Sequence, residues 1–162
     1  MSASSKNGKC SCGIKLLIAG VGKLENKLKK LTEILGLEKQ VIFLGHIDQN
    51  ELPKYLWVSD IFCRPSLSEG LGISFLEAMA AGLPVIATPV GGIPDFLDDG
   101  KTGLFCKTRD PKSIADAVSR LLKDKVLYDK ISGNGLGLVK EKYDWDGISL
   151  QMIGIYKKLI TL

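Results

Sequence analysis

Regular hydrophobic patterning begins at residue 14. "IKLLIA", over 14–19, is a short run of branched apolar residues closed by Gly20-Val21-Gly22, and it predicts a buried strand ending in a tight turn. Leu24, Leu28, Leu31 and Leu35 then recur at helical spacing among lysines and glutamates, which predicts a helix with one apolar face, stopped by Gly36. A strand over 41–44 follows. Asn50 can cap a helix that holds Pro53 in its first turn and reaches about Ser59. Next come a strand over 61–64, a helix over 74–81 ended by Gly82, and a strand over 84–87. A short helix is expected near Ile93 and a small strand over 103–106. Asp110-Pro111 is a cap followed by proline at the first helical position. Ile114, Ala117, Val118, Leu121 and Leu122 give that helix its apolar face. Two further helices are predicted over 126–142 and 145–159. The first contains "SGNGLGLV", whose glycines each cost a helix about 1 kcal/mol, so a break or fraying is expected over 132–139.

Strands alternating with helices in this way predict an α/β fold, a doubly wound parallel sheet of Rossmann-like type with right-handed crossovers. One domain over 14–162 is expected, behind a disordered polar lead-in over 1–13. Ligands of such sheets dock outside the carboxyl ends of the strands. Glycines gather there: Gly20 and Gly22 after the first strand, Gly45 after the second, Gly70 and Gly72 after the third, Gly91 and Gly92 after the fourth. This convergence predicts one crevice built from strand-end loops.

Composition narrows the function classes. A length of 162 residues suits one domain with a real core. With 45% apolar and 25% charged residues the balance is that of a soluble globular protein. A net charge of +4 favours anionic ligands weakly and falls short of a nucleic-acid footprint. Glycine and proline interrupt the longest uncharged runs, so no membrane span is expected. "MSASSKNGKCSCG" lacks the apolar core of a signal peptide. Cys10 and Cys12 form a lone C-x-C pair, and His46 is the single histidine, so a four-ligand zinc site is not expected. Reduced thiols and a cytoplasmic location are.

The third loop reads "RPSLSEGLGISFLEAM" from Arg64. Gly70 and Gly72 let a ligand approach the backbone, and the loop opens into a helix whose free N–H groups and dipole favour an anion. A phosphate or diphosphate fits. A carboxylate at Glu69 would repel phosphate, so Glu69 is read as an acceptor of hydroxyl hydrogen bonds. Glu77, inside the helix, can hold a pair of hydroxyls, as acidic residues hold ribose in dinucleotide folds. Two hydroxyl-binding acids around one phosphate site predict a nucleotide sugar. Each feature alone also has a plainer reading. The G-x-G is a turn, the first-loop glycines are structural, Glu69 is a solvated loop charge, and Glu77 is a surface helix residue. The combination carries the specificity.

"PSLSEGLGISFLEAMAAGLPVIATPVGGIPDFLDDGKTGLF" resembles the signature of the retaining glycosyltransferases of the GT-B fold, the group 1 glycosyl transferases, with Glu69 and Glu77 as the paired motif glutamates. "LLIAGVG", "LGLEKQVIFLGHI" and "LPKYLWVSDIF" extend the likeness, so that the chain from about Ile14 resembles the donor-binding C-terminal half of that family. The resemblance implies that Glu69 is catalytic and faces the donor sugar hydroxyls near the reacting carbon. It implies that the backbone of Gly70, Leu71, Gly72 and Ile73, with Gly20 and Gly22 in the first loop, holds sugar and diphosphate. Glu77 would bind the ribose, and the base would lie by His46 and Ile47. A nucleoside diphosphate sugar is then the donor substrate, with no cofactor and no metal required.

The sequence departs from the family pattern at Val21, where Asp is usual, at Leu71, where an aromatic residue is common, and at Asp95, where Glu is usual. The family also has an upstream strand and helix carrying an Arg and a Lys that grip the diphosphate, a pattern that Lys9 and Lys15 do not fit. An N-terminal acceptor domain precedes them. The expectation is therefore an incomplete enzyme, inactive alone: a truncated reading frame, or one partner of a split transferase whose missing N-terminal domain lies on another chain. The rival reading is a non-catalytic nucleotide- or sugar-binding module. Where absent parts would pack, an exposed apolar face is expected, and with it a possible homo-oligomer.

Overall fold

The computed structural model describes residues 13–160. Residues up to 52 form one compact unit, and those from 53 on form another. The lead-in expected over 1–13, with Cys10 and Cys12, lies outside the described residues except for Gly13.

In the first unit, β1 (Leu16–Ala19) and β2 (Val41–Gly45) pair in parallel, with Leu16 opposite Val41 and Ala19 opposite Gly45. Between them runs α1 (Glu25–Ile34), where the leucine spacing places it. Gly36, at φ +63°, turns the chain after the helix. No described residue of this unit is buried. Leu16, Leu24, Leu31, Ile34 and Leu35 are all exposed.

From α2 (Leu52–Trp57) onward the chain builds the second unit. Asn50 lies in the turn before α2 rather than as its immediate cap, and the Asp48 carbonyl accepts from the N–H groups of Glu51 and Leu52 there. Strands β3 (Phe62–Arg64), β4 (Val85–Ala87) and β5 (Leu104–Phe105) form a parallel ladder in that order. Helix α3 (Ile73–Ala80) connects β3 to β4, and a single 3-10 turn (Ile93–Asp95) follows β4. The expected α/β class with parallel strands is present, as two ladders, one in each unit.

The core belongs to the second unit. β4 is buried along its whole length, as its uninterrupted apolar sequence requires. Phe75 of α3 is fully buried, with Phe62 at 5.5 Å edge-on and Phe96 at 6.1 Å between ring centroids. Helix α4 (Pro111–Lys123) begins as the sequence predicts: Asp110 Oδ1 accepts from the Ser113 N–H at 3.1 Å, with proline at the first helical position. Its Ala117 and Leu121 pack with Ile86, Leu104, Cys106 and Ile131. Leu122, expected on that apolar face, is exposed.

Helix α5 (Lys125–Lys142) is continuous, against the expected break over 132–139. Packing overrides propensity here. Gly135 is buried against α3, where a Cβ would lie 3.2 Å from Met79 Cγ. The Ser132 hydroxyl donates to the Gly82 carbonyl, and the Tyr128 hydroxyl to that of Asp60 at 2.8 Å. Helix α6 (Trp145–Ile160) has no buried residue, and Trp145, Leu150, Ile153, Tyr156 and Leu159 stand exposed along it. No helix of the described residues is long and apolar enough to cross a membrane.

Candidate functional site

The loop from β3 to α3 is shaped by the chain that follows β4. Gly91 sits at φ +56°, and a Cβ there would lie 1.8 Å from the Glu69 carbonyl oxygen. A Cβ on Gly92 would lie 2.8 Å from the Gly70 carbonyl, to which the Gly92 N–H donates at 3.0 Å. The two loops therefore touch backbone to backbone, and only glycine permits it. The pair at 91–92, which the sequence places after the fourth strand, makes room in the structure for the loop bearing Glu69.

Gly72 stands immediately before α3 in the left-handed conformation, φ +73° and ψ +61°. A Cβ on it would meet Phe75 Cδ2 at 2.6 Å. Its carbonyl accepts from the Phe75 N–H at 2.9 Å, which starts the helix. The N–H groups of Gly70, Leu71, Gly72 and Ile73 find no acceptor among the described residues. Such a row of free donors at a helix start is suited to an anion. Gly70, Leu71 and Ile73 are exposed, and Gly72 is buried.

Glu69 is held in this loop by its Oε2. Arg64 Nη2 lies 3.1 Å from that oxygen, and the Ser66 hydroxyl donates to it, also at 3.1 Å. The Glu69 side chain is 15% exposed. The Thr88 hydroxyl, fully buried at the end of β4, donates to the Ser66 carbonyl and ties this segment to the ladder. Glu77 lies on α3, half-buried, with no ion pair or side-chain hydrogen bond among the described residues. An acidic side chain left free on a helix is open to hydroxyl donors of a ligand.

The remaining expected residues lie in the first unit. Gly20, at φ +111°, donates its N–H to the Gly45 carbonyl at 2.7 Å, so the ends of β1 and β2 are joined. Gly20 and Gly22 line a hollow of about 200 Å³ together with Ile18, Leu24, Leu28 and Phe43. His46 follows β2 and is exposed, 3.6 Å from Asp48, a pair in water that contributes little. Ile47 is half-buried. Among the described residues, no three His, Cys, Asp or Glu side chains converge as metal ligands. A hollow of about 500 Å³ at the start of α4 is lined by Asp99, Asp110, Lys112 and Asp116. The fold uses these groups: Asp99 accepts from the Phe105 N–H, Asp110 caps the helix, and Lys112 pairs with Asp116.

The family pattern of the group 1 glycosyl transferases matches residues 10–136, which contain all of these loops. The chain belongs to that family. It is 38% identical over 143 residues to an uncharacterised glycosyltransferase of Methanocaldococcus jannaschii, covering 88% of this chain and 37% of the relative. It is 36% identical over 147 residues to the GDP-mannose-dependent alpha-(1-6)-phosphatidylinositol monomannoside mannosyltransferase of Mycobacterium tuberculosis, covering 86% of this chain and 38% of that enzyme. Among solved structures, sucrose-phosphate synthase from Thermosynechococcus elongatus superposes with a TM-score of 0.81 at 30% identity, over 91% of this chain and 39% of that one. The chain thus spans less than half the length of each of these three proteins. Its fold is that of a C-terminal-like portion of a GT-B glycosyltransferase.

The residues that hold Glu69 in place lie outside the paired glutamates and glycines of the signature. Arg64 and Ser66, which hold Glu69, and Thr88, which holds Ser66, were not singled out from the pattern. A signal was present for Arg64: a cation at the carboxyl end of a strand, next to Pro65, a few residues before an acid. Nothing local marks Thr88, since its partner is 22 residues away.

Proposed function

We propose that this chain is the donor-binding part of a retaining group 1 glycosyltransferase, which holds a nucleoside diphosphate sugar while the sugar passes to an acceptor hydroxyl with its anomeric configuration kept. The observation that carries the reading is the row of free N–H groups at Gly70, Leu71, Gly72 and Ile73, between an acid fastened by one oxygen and an unpartnered acid on α3. The diphosphate takes the N–H groups and the positive end of α3. Glu69 faces the sugar hydroxyls, and Glu77 takes the ribose hydroxyls. The GDP-mannose dependence of the M. tuberculosis relative supports a nucleotide sugar as donor.

In the reaction, negative charge gathers on the leaving diphosphate and positive charge on the sugar. Fixed backbone dipoles stabilise the first without a metal ion, and the Glu69 carboxylate offsets the second. Glycosyl transfer also needs an acceptor, so a titration with donor alone reads binding without transfer.

Calorimetric titration with UDP, GDP and ADP and their common sugar conjugates tests the reading. One nucleotide should bind saturably. Glu77→Ala, which removes charged hydrogen bonds to the ribose, should weaken it about 10- to 100-fold. Unchanged affinity in a folded Glu77→Ala protein would remove the ribose assignment.

A further inference from the structure

We propose that Arg64 is a positioning residue for Glu69, presenting the free oxygen of that carboxylate to the donor sugar. The proposal rests on the reading of Glu69 as the acceptor of sugar hydroxyls. Both protein contacts to the Glu69 carboxylate fall on the same atom, Oε2: Arg64 Nη2 and the Ser66 hydroxyl, each at 3.1 Å. Oε1 has no partner among the described residues. A carboxylate fixed through one oxygen keeps the lone pairs of the other for a ligand, at an orientation set in advance.

Arg64 is itself braced, which a positioning residue needs to be. Nη1 donates to the Ser74 hydroxyl, in the first turn of α3, at 2.8 Å. The guanidinium carbon lies 5.8 Å from the centre of the Phe75 ring, a cation–π distance, and Phe75 is fully buried. One planar group therefore spans the end of β3, the Glu69 loop and the start of α3. Lysine carries the charge on a single flexible nitrogen and lacks the planar fork by which Nη1 reaches Ser74 and Nη2 reaches Glu69.

The test compares each nucleotide with its own sugar conjugate: UDP with UDP-glucose, GDP with GDP-mannose, ADP with ADP-glucose. For whichever pair binds, the ratio of the two dissociation constants isolates what the sugar contributes. Arg64→Gln should shift this ratio against the sugar conjugate about tenfold, toward the value for Glu69→Gln, with affinity for the bare nucleotide unchanged. Arg64→Lys should recover part of the shift, and Arg64→Gln combined with Glu69→Gln should be no worse than Glu69→Gln alone. Arg64→Lys also serves as the folded control, checked by a cooperative thermal transition.

The opposing results separate cleanly. If Glu69→Gln shifts the ratio and Arg64→Gln does not, the positioning role is wrong and the reading of Glu69 stands. If Arg64→Gln weakens the bare nucleotide as much as the conjugate, Arg64 acts on phosphate or on the fold, and the proposal is overturned. If Glu69→Gln leaves the ratio unchanged, or the wild-type chain binds none of the probes, the reading beneath it falls and takes the proposal with it.

Discussion

At the scale of single residues, glycines and one cysteine show how differently the same chain uses small groups. Gly91 is required by its positive φ and by the Glu69 carbonyl in front of it. Gly91→Ala should lower stability by about 2–4 kcal/mol, read from urea unfolding, because strain and a backbone clash add. A loss below about 0.5 kcal/mol would mean that the two loops separate easily in solution. Cys106 is buried in the core, its thiol facing the Ala87 carbonyl at 3.4 Å. Burial pushes its pKa above the ordinary thiol value, so the reactive thiolate is scarce near neutral pH. Iodoacetamide should therefore leave Cys106 unmodified in the native protein and label it once urea unfolds the chain. Labelling of the native protein at the rate of a free thiol would show that the end of β5 opens.

At the scale of elements, the sequence was most legible where the determinants are local. Asp110 with Pro111 needs only its own turn to start α4, and it does so as read. The first strand follows from its short apolar run and α1 from the helical spacing of its leucines. Helix α5 was misread because three glycines argue locally for a break, whereas the argument for continuity comes from α3, over 50 residues upstream. The same holds in the site. Glu69 and Glu77 were visible through the signature, but the reason for Gly91 lies in a loop more than 20 residues earlier. Helix α5 also offers a test. Gly133 and Gly137 are exposed and a Cβ on either meets nothing within 4 Å. Gly133→Ala and Gly137→Ala should each raise stability by about 0.5–1 kcal/mol. Gly135→Val, pressed against Met79, should lower it by about 1–3 kcal/mol. The same sign of effect at all of these positions would contradict the packing account.

At the scale of the whole molecule, apolar surface is the outstanding feature. The first unit has no buried described residue, and α6 exposes Trp145, Leu150, Ile153, Tyr156 and Leu159. Isolated exposed leucines are ordinary, but a helix with no buried residue and so many large apolar ones is not. The native chain should accordingly bind anilinonaphthalene sulfonate with enhanced fluorescence, and a chain ended before Trp145 should bind less of it. Equal fluorescence from both would place the accessible apolar surface elsewhere. The loop between β3 and α3 carries four consecutive N–H groups with no acceptor among the described residues, the place proposed for the diphosphate. The most direct measurement is a titration of the nitrogen-15-labelled chain with UDP, GDP and ADP, followed residue by residue in its amide spectrum. The account predicts that the resonances of Gly70, Leu71, Gly72 and Ile73 move together and saturate with one of the nucleotides. A well-dispersed spectrum in which these amides stay fixed with all three would contradict it.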